Sequence, residues 1–178
     1  MFDPWPVRKM SKNESTSWIF ANCNRGITSA ISQIRRIPTV ASVTPVTGRF
    51  DLVIKLRTNN PAKAFNTVEK IRGITGIIST QSAIPFQTLS SGNRHETESP
   101  LGFALLKVKG KVQNVLQRLK TFPNLIEAHI IPGEFDVLAS FKGYDPEELA
   151  ETAVEKVNNI TGVTTSETLV AYTPASLY

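Results

Sequence analysis

Apolar residues in the first half of the chain alternate between strand-like and helix-like spacings. An apolar run at 18–23 predicts a strand, and the helical spacing of four apolar residues from Ile27 predicts a helix that stops before Pro38. Two further strands are expected at about 40–44 and 50–57. The last of these alternates, which gives it one fully apolar face and one mixed face.

A second helix and a last strand complete this half of the chain. Asn60 is the expected N-cap, with Pro61 at the first helical position, and the last strand is expected at about 77–84. The apolar face of the third strand and the apolar stripe of the second helix are predicted to pack together. They consist of Phe50, Leu52, Ile54 and Leu56 on the strand and Phe65, Val68 and Ile71 on the helix.

The second half of the chain repeats this pattern. Residues 48–54 read Gly-Arg-Phe-Asp-Leu-Val-Ile, and residues 133–139 read Gly-Glu-Phe-Asp-Val-Leu-Ala, so the offset is 133 − 48 = 85. Ile74-Thr75-Gly76-Ile77 matches residues 160–163 at an offset of 160 − 74 = 86, which requires a one-residue insertion in between. The chain is therefore a tandem duplication of a unit of roughly 75 residues.

Each repeat has the order strand, helix, strand, strand, helix, strand, which is the ferredoxin-like βαββαβ arrangement. The predicted fold class is α+β, with two such units at 17–86 and 102–174 and a linker at 87–101 that is rich in Ser, Gly, Asn and Glu. In each unit both helices cover one face of an antiparallel sheet. We expect the two remaining sheet faces to pack face to face as a pseudo-dimer.

Composition and charge narrow the possible classes of protein. The chain of 178 residues has 40% hydrophobic and 20% charged residues and a single cysteine, which excludes a disulfide framework. No apolar stretch of about 18 residues predicts a membrane span, and no signal peptide is evident, so we expect a cytoplasmic protein. Met10 is an alternative start of the native chain, which leaves open whether residues 1–9 belong to it.

The charge is unevenly distributed. Residues 1–90 carry 12 basic and 4 acidic residues, and residues 91–178 carry 8 and 11, so the halves have net charges of +8 and −3. Three interpretations stay open: a nucleic-acid-binding face on the basic half, attraction between the halves of neighbouring copies, and neutral drift after duplication.

Two pairs of motifs resemble those of a known family. The turn Gly-x-Phe-Asp occurs at 48–51 and 133–136, and the run Ile-Thr-Gly followed by alternating hydroxyl residues occurs at 74–82 and 160–168. Together they resemble the effector-binding (RAM) domain of the Lrp/AsnC family over about 17–86 and 102–174. Full-length members carry a helix-turn-helix domain before this one. The resemblance implies a doubled, stand-alone form, because only about sixteen residues precede the first unit.

The resemblance also implies a ligand site. In some members of the family a small effector, usually an amino acid, binds between neighbouring dimers, which often form rings. The turn before the third strand and the start of that strand line the site. Carried over by position, the candidate ligand-binding residues are Gly48, Arg49, Asp51, Thr80, Ser82, Gly133, Glu134, Asp136, Ser166 and Thr168.

The chemistry of these residues suits an amino acid. An aspartate can bind an ammonium group, and the backbone N–H groups near a glycine can bind a carboxylate. A structural interpretation stays open beside this one, since a glycine before a strand and an aspartate at its start often serve only the turn. Arg49 stands where Glu134 stands in the second repeat, so the two copies should differ in the ligand charge that they prefer.

We therefore expect a protein that is not an enzyme, binds an amino acid or a derivative, and regulates transcription through partners. The expected partners are further copies of this chain and a DNA-binding Lrp/AsnC-type protein. No cofactor, metal, membrane or direct DNA contact is expected. His95 and His129 have no suitably spaced metal ligands, and Cys23 fits a buried small residue.

Three alternatives remain. An amino-acid-binding ACT-type module has the same topology. A small dimeric α+β barrel enzyme would use a histidine, for which His129 is the strand-borne candidate. Direct nucleic-acid binding would use the basic half, through Arg25, Arg35, Arg36, Arg57, Lys63, Lys70 and Arg72.

Overall fold

The computed structural model describes residues 15–90, 100–143 and 145–174. Residues 1–9, the alternative start at Met10 and His95 lie outside these ranges. By contacts the chain divides into two compact units. Among the described residues the first unit comprises 15–45, 50–84 and 173–174, and the second comprises Val46–Arg49 and Pro85–Tyr172.

The first unit is built from four antiparallel strands and two helices, in the order that the sequence predicts. The sheet order is β4-β1-β3-β2. The elements are β1 (Ser15–Cys23), α1 (Ile27–Arg35), β2 (Val40–Thr47), β3 (Leu52–Thr58), α2 (Pro61–Arg72) and β4 (Ile77–Ala83). The last two residues of β2, Val46 and Thr47, belong to the second unit.

The helices of the first unit cover one face of its sheet. Ile31, Ile34 and Ile71 from the helices pack against Ile19, Ala21, Leu52, Ile54 and Leu56 from the strands, and all of them are buried. Phe50 was predicted to lie on this helix-facing side, and this prediction is wrong. Its ring stacks on Phe20 with 5.1 Å between centroids, and Phe20 pairs with Val53 on the opposite face. The strand begins only at Leu52, so the alternation does not extend back through the turn.

Helix α2 also differs from the predicted stripe. The Asn60 side chain accepts hydrogen bonds from the backbone N–H groups of Ala62 and Lys63, as an N-cap should. Phe65, however, is 64% exposed, and the buried position is taken by Thr67. The Thr67 hydroxyl can be buried because it donates to the Lys63 carbonyl at 2.8 Å, one turn back in the helix.

The second unit repeats the order and adds one strand. Its sheet order is β9-β6-β8-β7-β5. The elements are β5 (Gln87–Ser90), β6 (Gly102–Val108), α3 (Val112–Leu119), β7 (Leu125–Ile130), β8 (Val137–Phe141), α4 (Pro146–Ala150), a π-helix (Glu151–Val157) and β9 (Val163–Ala171). Val115, Leu116 and Leu119 of α3 pack on Val137, Ala139 and Phe141 of β8.

Strand β5 corrects the predicted linker at 87–101. Gln87–Ser90 pair with β7 in antiparallel register, and the Phe86 backbone N–H donates to the Ile130 carbonyl at 2.8 Å. The segment looked like a linker because its polar composition is that of a loop. The edge of β7 nevertheless offers backbone partners that need no apolar side chain. Residues 91–99 of the predicted linker lie outside the described ranges.

The π-helix explains the change of offset between the repeats. Asn124 donates to the Thr152 hydroxyl at 2.9 Å, and Thr39 and Thr67 form the equivalent bond at an offset of 152 − 67 = 85. Ile71 and Val157 are buried apolar residues farther along the two helices, and their offset is 157 − 71 = 86. The extra residue therefore lies within the π-helix, whose wider turn accommodates it.

The fold class is α+β with two tandem ferredoxin-like units and antiparallel sheets. The face-to-face packing of the two sheets stays a prediction.

Candidate functional site

The aspartates of the two Gly-x-Phe-Asp turns make the same contact in both repeats. Asp51 Oδ2 accepts a hydrogen bond from the Cys23 backbone N–H at 2.8 Å, and Asp136 Oδ2 accepts one from the Val108 N–H at 2.8 Å. Both N–H groups lie where the register of the preceding strand shifts, between Asn22 and Cys23 in β1 and between Lys107 and Val108 in β6. The carboxylates thus supply the acceptor at an interruption of the regular ladder.

Backbone hydrogen bonds hold these turns as well. The Asp51 N–H donates to the Ala21 carbonyl at 3.0 Å, and the Asp136 N–H donates to the Leu106 carbonyl at 2.8 Å. The structural interpretation of the aspartates is therefore realised in both copies. The side-chain hydrogen bond occupies one carboxylate oxygen of each aspartate, and the Asp136 side chain is 25% exposed.

The Ile-Thr-Gly motif has a structural basis too. Gly76 has a φ of 99°, and a Cβ on it would lie 2.2 Å from the Arg25 carbonyl oxygen. The Asn24 N–H donates to the Gly76 carbonyl, and the Lys109 N–H makes the equivalent bond to Gly162. A side chain would prevent this close approach of two backbones, so the motif fixes the entry into the last strand.

The glycines of the two Gly-x-Phe-Asp turns differ in their surroundings. Gly48, in the second unit, would place a Cβ 2.9 Å from Leu169 Cδ2 and 3.2 Å from the Thr168 carbonyl oxygen. At Gly133 no described atom lies within 4 Å of the Cβ position. The turn of the second repeat therefore leaves space for a ligand beside its backbone, whereas Gly48 packs against β9.

Arg49 and Glu134, which occupy equivalent positions in the repeats, form an ion pair. The Arg49 guanidinium lies 2.5 Å from Glu134 Oε1, 3.6 Å from Glu167 Oε2 and 5.4 Å from the centroid of the Phe135 ring. The hydrogen bond to Glu134 raises the pKa of Arg49. The opposite charges of Arg49 and Glu134, from which two different ligand preferences were predicted, thus form an ion pair with each other.

The hydroxyl residues of the last strands lie on the helix-facing side. Thr80 and Ser82 stand opposite Ala21 and Ile19, and Thr168 stands opposite Ala104. These three partners belong to the helix-facing cores. In the described part of the chain no hydrogen bond joins Thr80 or Ser82 to Asp51.

The corresponding residues of the second repeat have identifiable neighbours. The Ser166 hydroxyl donates to Asn158 Oδ1, and the Thr168 carbonyl lies beside Gly48. The candidate residues that the structure brings together are thus Gly48, Arg49, Glu134 and Thr168.

Lys107 is a candidate that sequence reasoning missed. Its Nζ lies 3.9 Å from Asp136 Oδ2, and its side chain is 46% exposed. The equivalent residue of the first repeat is Asn22, whose amide donates to the Ser79 hydroxyl at 3.2 Å. Aligning the repeats beyond the motif would have shown this change from a neutral to a cationic side chain.

His129 is buried within β7, where it holds the added strand. Its Nδ1 lies 2.8 Å from the Thr88 hydroxyl, and its Nε2 lies 3.5 Å from Glu127 Oε2. Across the described ranges, no three His, Cys, Asp or Glu side chains are grouped to hold a metal ion. No helix in the same ranges is long and apolar enough to cross a bilayer.

A protein-family model described as the Lrp/AsnC ligand binding domain matches residues 21–94 and 102–174. Among curated proteins, uncharacterised HTH-type transcriptional regulators of Pyrococcus furiosus and Pyrococcus abyssi are each 30% identical over 60 residues, which is 34% of this chain. The chain spans 40% of the length of these relatives.

Solved structures that resemble nearly the whole chain include two enzymes. The siroheme decarboxylase NirDL matches with a TM-score of 0.66 and 10% identity, covering 97% of this chain and 74% of that one. A mutant chlorite dismutase from Candidatus Nitrospira defluvii matches with a TM-score of 0.53 and 6% identity, covering 92% and 93%.

These two neighbours contradict the expectation that the protein is not an enzyme. Both are enzymes by name, so a chain with this fold can be an enzyme. At identities of 10% and 6% the likeness is one of fold alone.

Proposed function

This chain belongs to the Lrp/AsnC ligand-binding domain family, and we propose that it binds one amino-acid-like effector per chain, at the Gly133 turn of the second repeat. The effector would carry an ammonium group and a carboxylate. In this proposal binding changes the association of the chain with partners that act on transcription.

The observation that carries the proposal is the pair of opposite charges at an open turn. Lys107 Nζ and Asp136 Oδ2 lie 3.9 Å apart, and both side chains are partly exposed. The ammonium group and the carboxylate of an α-amino acid are bonded to the same carbon atom, so its site needs an anion and a cation side by side. Asp136 would accept from the ammonium group, and Lys107 would donate to the carboxylate.

Glu134 and the turn backbone complete the proposed site. Glu134 is 47% exposed and borders the turn, so an effector side chain can reach it. The space beside Gly133 allows the effector to approach the backbone N–H groups. Ion pairs between exposed groups are weak, so the effector can compete with Arg49 for Glu134 at little cost.

The first repeat lacks two of these features. Asn22 replaces the lysine, and Gly48 packs against Leu169 and the Thr168 carbonyl. Asp51 retains its hydrogen bond to Cys23. We therefore infer that Asp51 serves the fold and that Asp136 serves both the fold and the effector.

The regulatory part of the proposal is supported by the relatives. They are HTH-type transcriptional regulators, and the matched region is 40% of their length. An effector-binding chain of this family would act on transcription through a DNA-binding protein that associates with it. Self-association and a cytoplasmic location are parts of the same proposal.

Isothermal titration calorimetry with each of the twenty amino acids tests the effector site. We expect at least one to bind at millimolar concentration or below, with a stoichiometry of one per chain. Asp136→Asn should weaken its binding at least about tenfold, because a charge-assisted contact of about 1.5–3 kcal/mol is lost. The amide oxygen of this variant can still accept from Val108, so the turn is preserved.

Asp51→Asn is the matched control, and it should bind as the native chain does. Lys107→Gln should also weaken binding, whereas Lys109→Gln, which removes an exposed lysine two residues away, should not. Equal loss in Asp51→Asn and Asp136→Asn would contradict a single site in the second repeat. No binding by any amino acid would contradict the effector class itself.

A further inference from the structure

The second helices of the two units have opposite charges. Helix α2 carries Lys63, Lys70, Arg72 and Glu69, a net charge of +2. Glu69 is engaged by Arg72 at 3.3 Å. Lys63 and Lys70 are seven residues apart, so they lie on one face of the helix, and both are exposed. Within the described part of the chain neither lysine forms an ion pair.

The equivalent helix of the second unit is acidic. Pro146–Val157 contain four glutamates and Lys156, a net charge of −3. Glu147, Glu151 and Glu155 lie on one face of this helix around a shallow, open depression beside Ala150, which we call the acidic groove. Glu151 lies 3.8 Å from Lys156, and the other two glutamates form no ion pair among the described residues. The groove is thus a concentrated anionic surface on an exposed helix.

We propose that the Lys63–Lys70 face of one copy of this chain docks on the acidic groove of a second copy. The two surfaces occur on every chain, so each is always present at the concentration of the other. Docking of a helix on its own counterpart would bring like charges together and is disfavoured. The contact therefore pairs the basic face of one copy with the acidic groove of the other.

The Arg49–Glu134 pair shows that this chain already uses such a charge difference between its repeats. The two residues are equivalent by position, carry opposite charges and lie 2.5 Å apart. Lys63 and Glu148 are likewise equivalent, at an offset of 148 − 63 = 85. Divergence of charge after duplication thus gives the two helices complementary surfaces.

A nucleic acid is the competing occupant of the basic face. Phosphates would be attracted to Lys63 and Lys70 together with Arg25 and Arg36, which are also exposed. That occupant leaves the acidic groove unexplained and would be repelled by it. A second copy accounts for both surfaces with one contact.

Sedimentation velocity of the whole chain at several concentrations tests the proposal. We expect the native chain to form species larger than its smallest form at about 50 mM salt and to lose them at roughly 500 mM, where charges are screened within a few ångströms. Lys63→Glu with Lys70→Glu should abolish this growth, and so should Glu151→Lys with Glu155→Lys.

Mixing the two double variants is the decisive experiment. Each alone has two like-charged surfaces, but the pair is complementary, so an equimolar mixture should associate again. Lys111→Glu with Lys120→Glu is the control. It changes the net charge by the same amount as Lys63→Glu with Lys70→Glu, but at the two ends of α3, and it should associate as the native chain does. Circular dichroism spectra matching the native spectrum would show that the variants are folded.

Three results would overturn the proposal. The first is association that is insensitive to salt. The second is a mixture that fails to associate while both folded variants are defective. The third is a native chain that keeps one size at all concentrations. A DNA mobility shift that Lys63→Glu with Lys70→Glu abolishes would then identify a nucleic acid as the occupant of the basic face.

Discussion

Replacing Asp136 with alanine should destabilise the second unit at one identifiable hydrogen bond. The substitution removes the oxygen that accepts from the Val108 N–H at 2.8 Å, and the N–H lies where the register of β6 shifts. The backbone hydrogen bonds of the turn do not use the Val108 N–H, so the substitution takes away the acceptor that the carboxylate supplies. The smaller side chain leaves the backbone bonds of the turn in place.

The magnitude follows from the kind of bond that is lost. A fully buried donor left without a partner costs about 1–3 kcal/mol, and the part-buried Val108 N–H should cost an amount toward the lower end of this range. The Lys107 contact at 3.9 Å is partly exposed and adds less than about 1 kcal/mol. We therefore expect Asp136→Ala to lower the free energy of unfolding by roughly 2 kcal/mol, and Asp51→Ala to do the same through Cys23.

Urea unfolding combined with amide hydrogen exchange measures this effect. The urea midpoint should fall in Asp136→Ala, and the Val108 amide should lose protection more than its neighbours in β6. Asp136→Asn keeps an acceptor oxygen, so its loss of stability should be less than half as large. The asparagine variant thus separates stability from effector binding, for which it is expected to be defective.

Two outcomes would refute this reasoning. One is an Asp136→Ala variant as stable as the native chain, which would mean that the hydrogen bond contributes nothing. The other is an asparagine variant as unstable as the alanine variant. In that case the negative charge, and not the acceptor, would be what the turn requires.

Three further predictions test other features of the structure. Gly76→Ala should destabilise by more than about 2 kcal/mol in urea unfolding, because its Cβ would meet a backbone carbonyl at 2.2 Å, whereas Gly110→Ala, with φ 93° and open surroundings, should cost about 1 kcal/mol. Deleting Glu155 should convert the π-helix into an α-helix and be tolerated, while deleting Glu69 should displace a buried residue and unfold the first unit, as judged by circular dichroism. Burial raises the pKa of the Cys23 thiol, and a neighbouring aspartate charge adds to this. The thiol stays neutral to higher pH in the folded chain, so at pH 8 iodoacetamide should react more slowly with it than with the unfolded chain.

The repeat and the order of elements could be predicted from sequence because they depend on residues whose local conformation or burial has only one common explanation. Asn60 begins α2 as a cap, and Gly76 allows the close approach that no other residue permits. Leu52, Ile54 and Leu56 alternate and are buried on the helix-facing side. Each of these signals is local, so an isolated segment is enough to recognise it.

The predictions that were wrong, and the features that were not predicted, depend on partners that are distant in the sequence. Phe50 follows the turn instead of the strand period, and Phe65 is exposed although its spacing fits an apolar stripe. Strand β5 forms because β7 offers an edge, which its own polar sequence does not reveal. Lys107 has no motif around it, and its relevance depends on a carboxylate 29 residues later, as 136 − 107 = 29.

The family assignment likewise came from motifs whose structural role explains them. The aspartates and glycines that identify the domain hold its turns, so they are informative about fold even where a ligand site has changed. The residues that distinguish the two repeats, among them Lys107 and Glu134, lie at positions that the fold leaves variable.

The single wide turn between Thr152 and Val157 has a consequence for how this gene can change. An inserted residue would ordinarily rotate every later side chain of a helix by about 100° and turn its apolar stripe outward. Here the π-helical turn accommodates the extra residue, and the residues on both sides keep their neighbours. One codon can therefore be lost from this helix while β9 continues to align with β6, so the shorter variant is open to selection without loss of the domain.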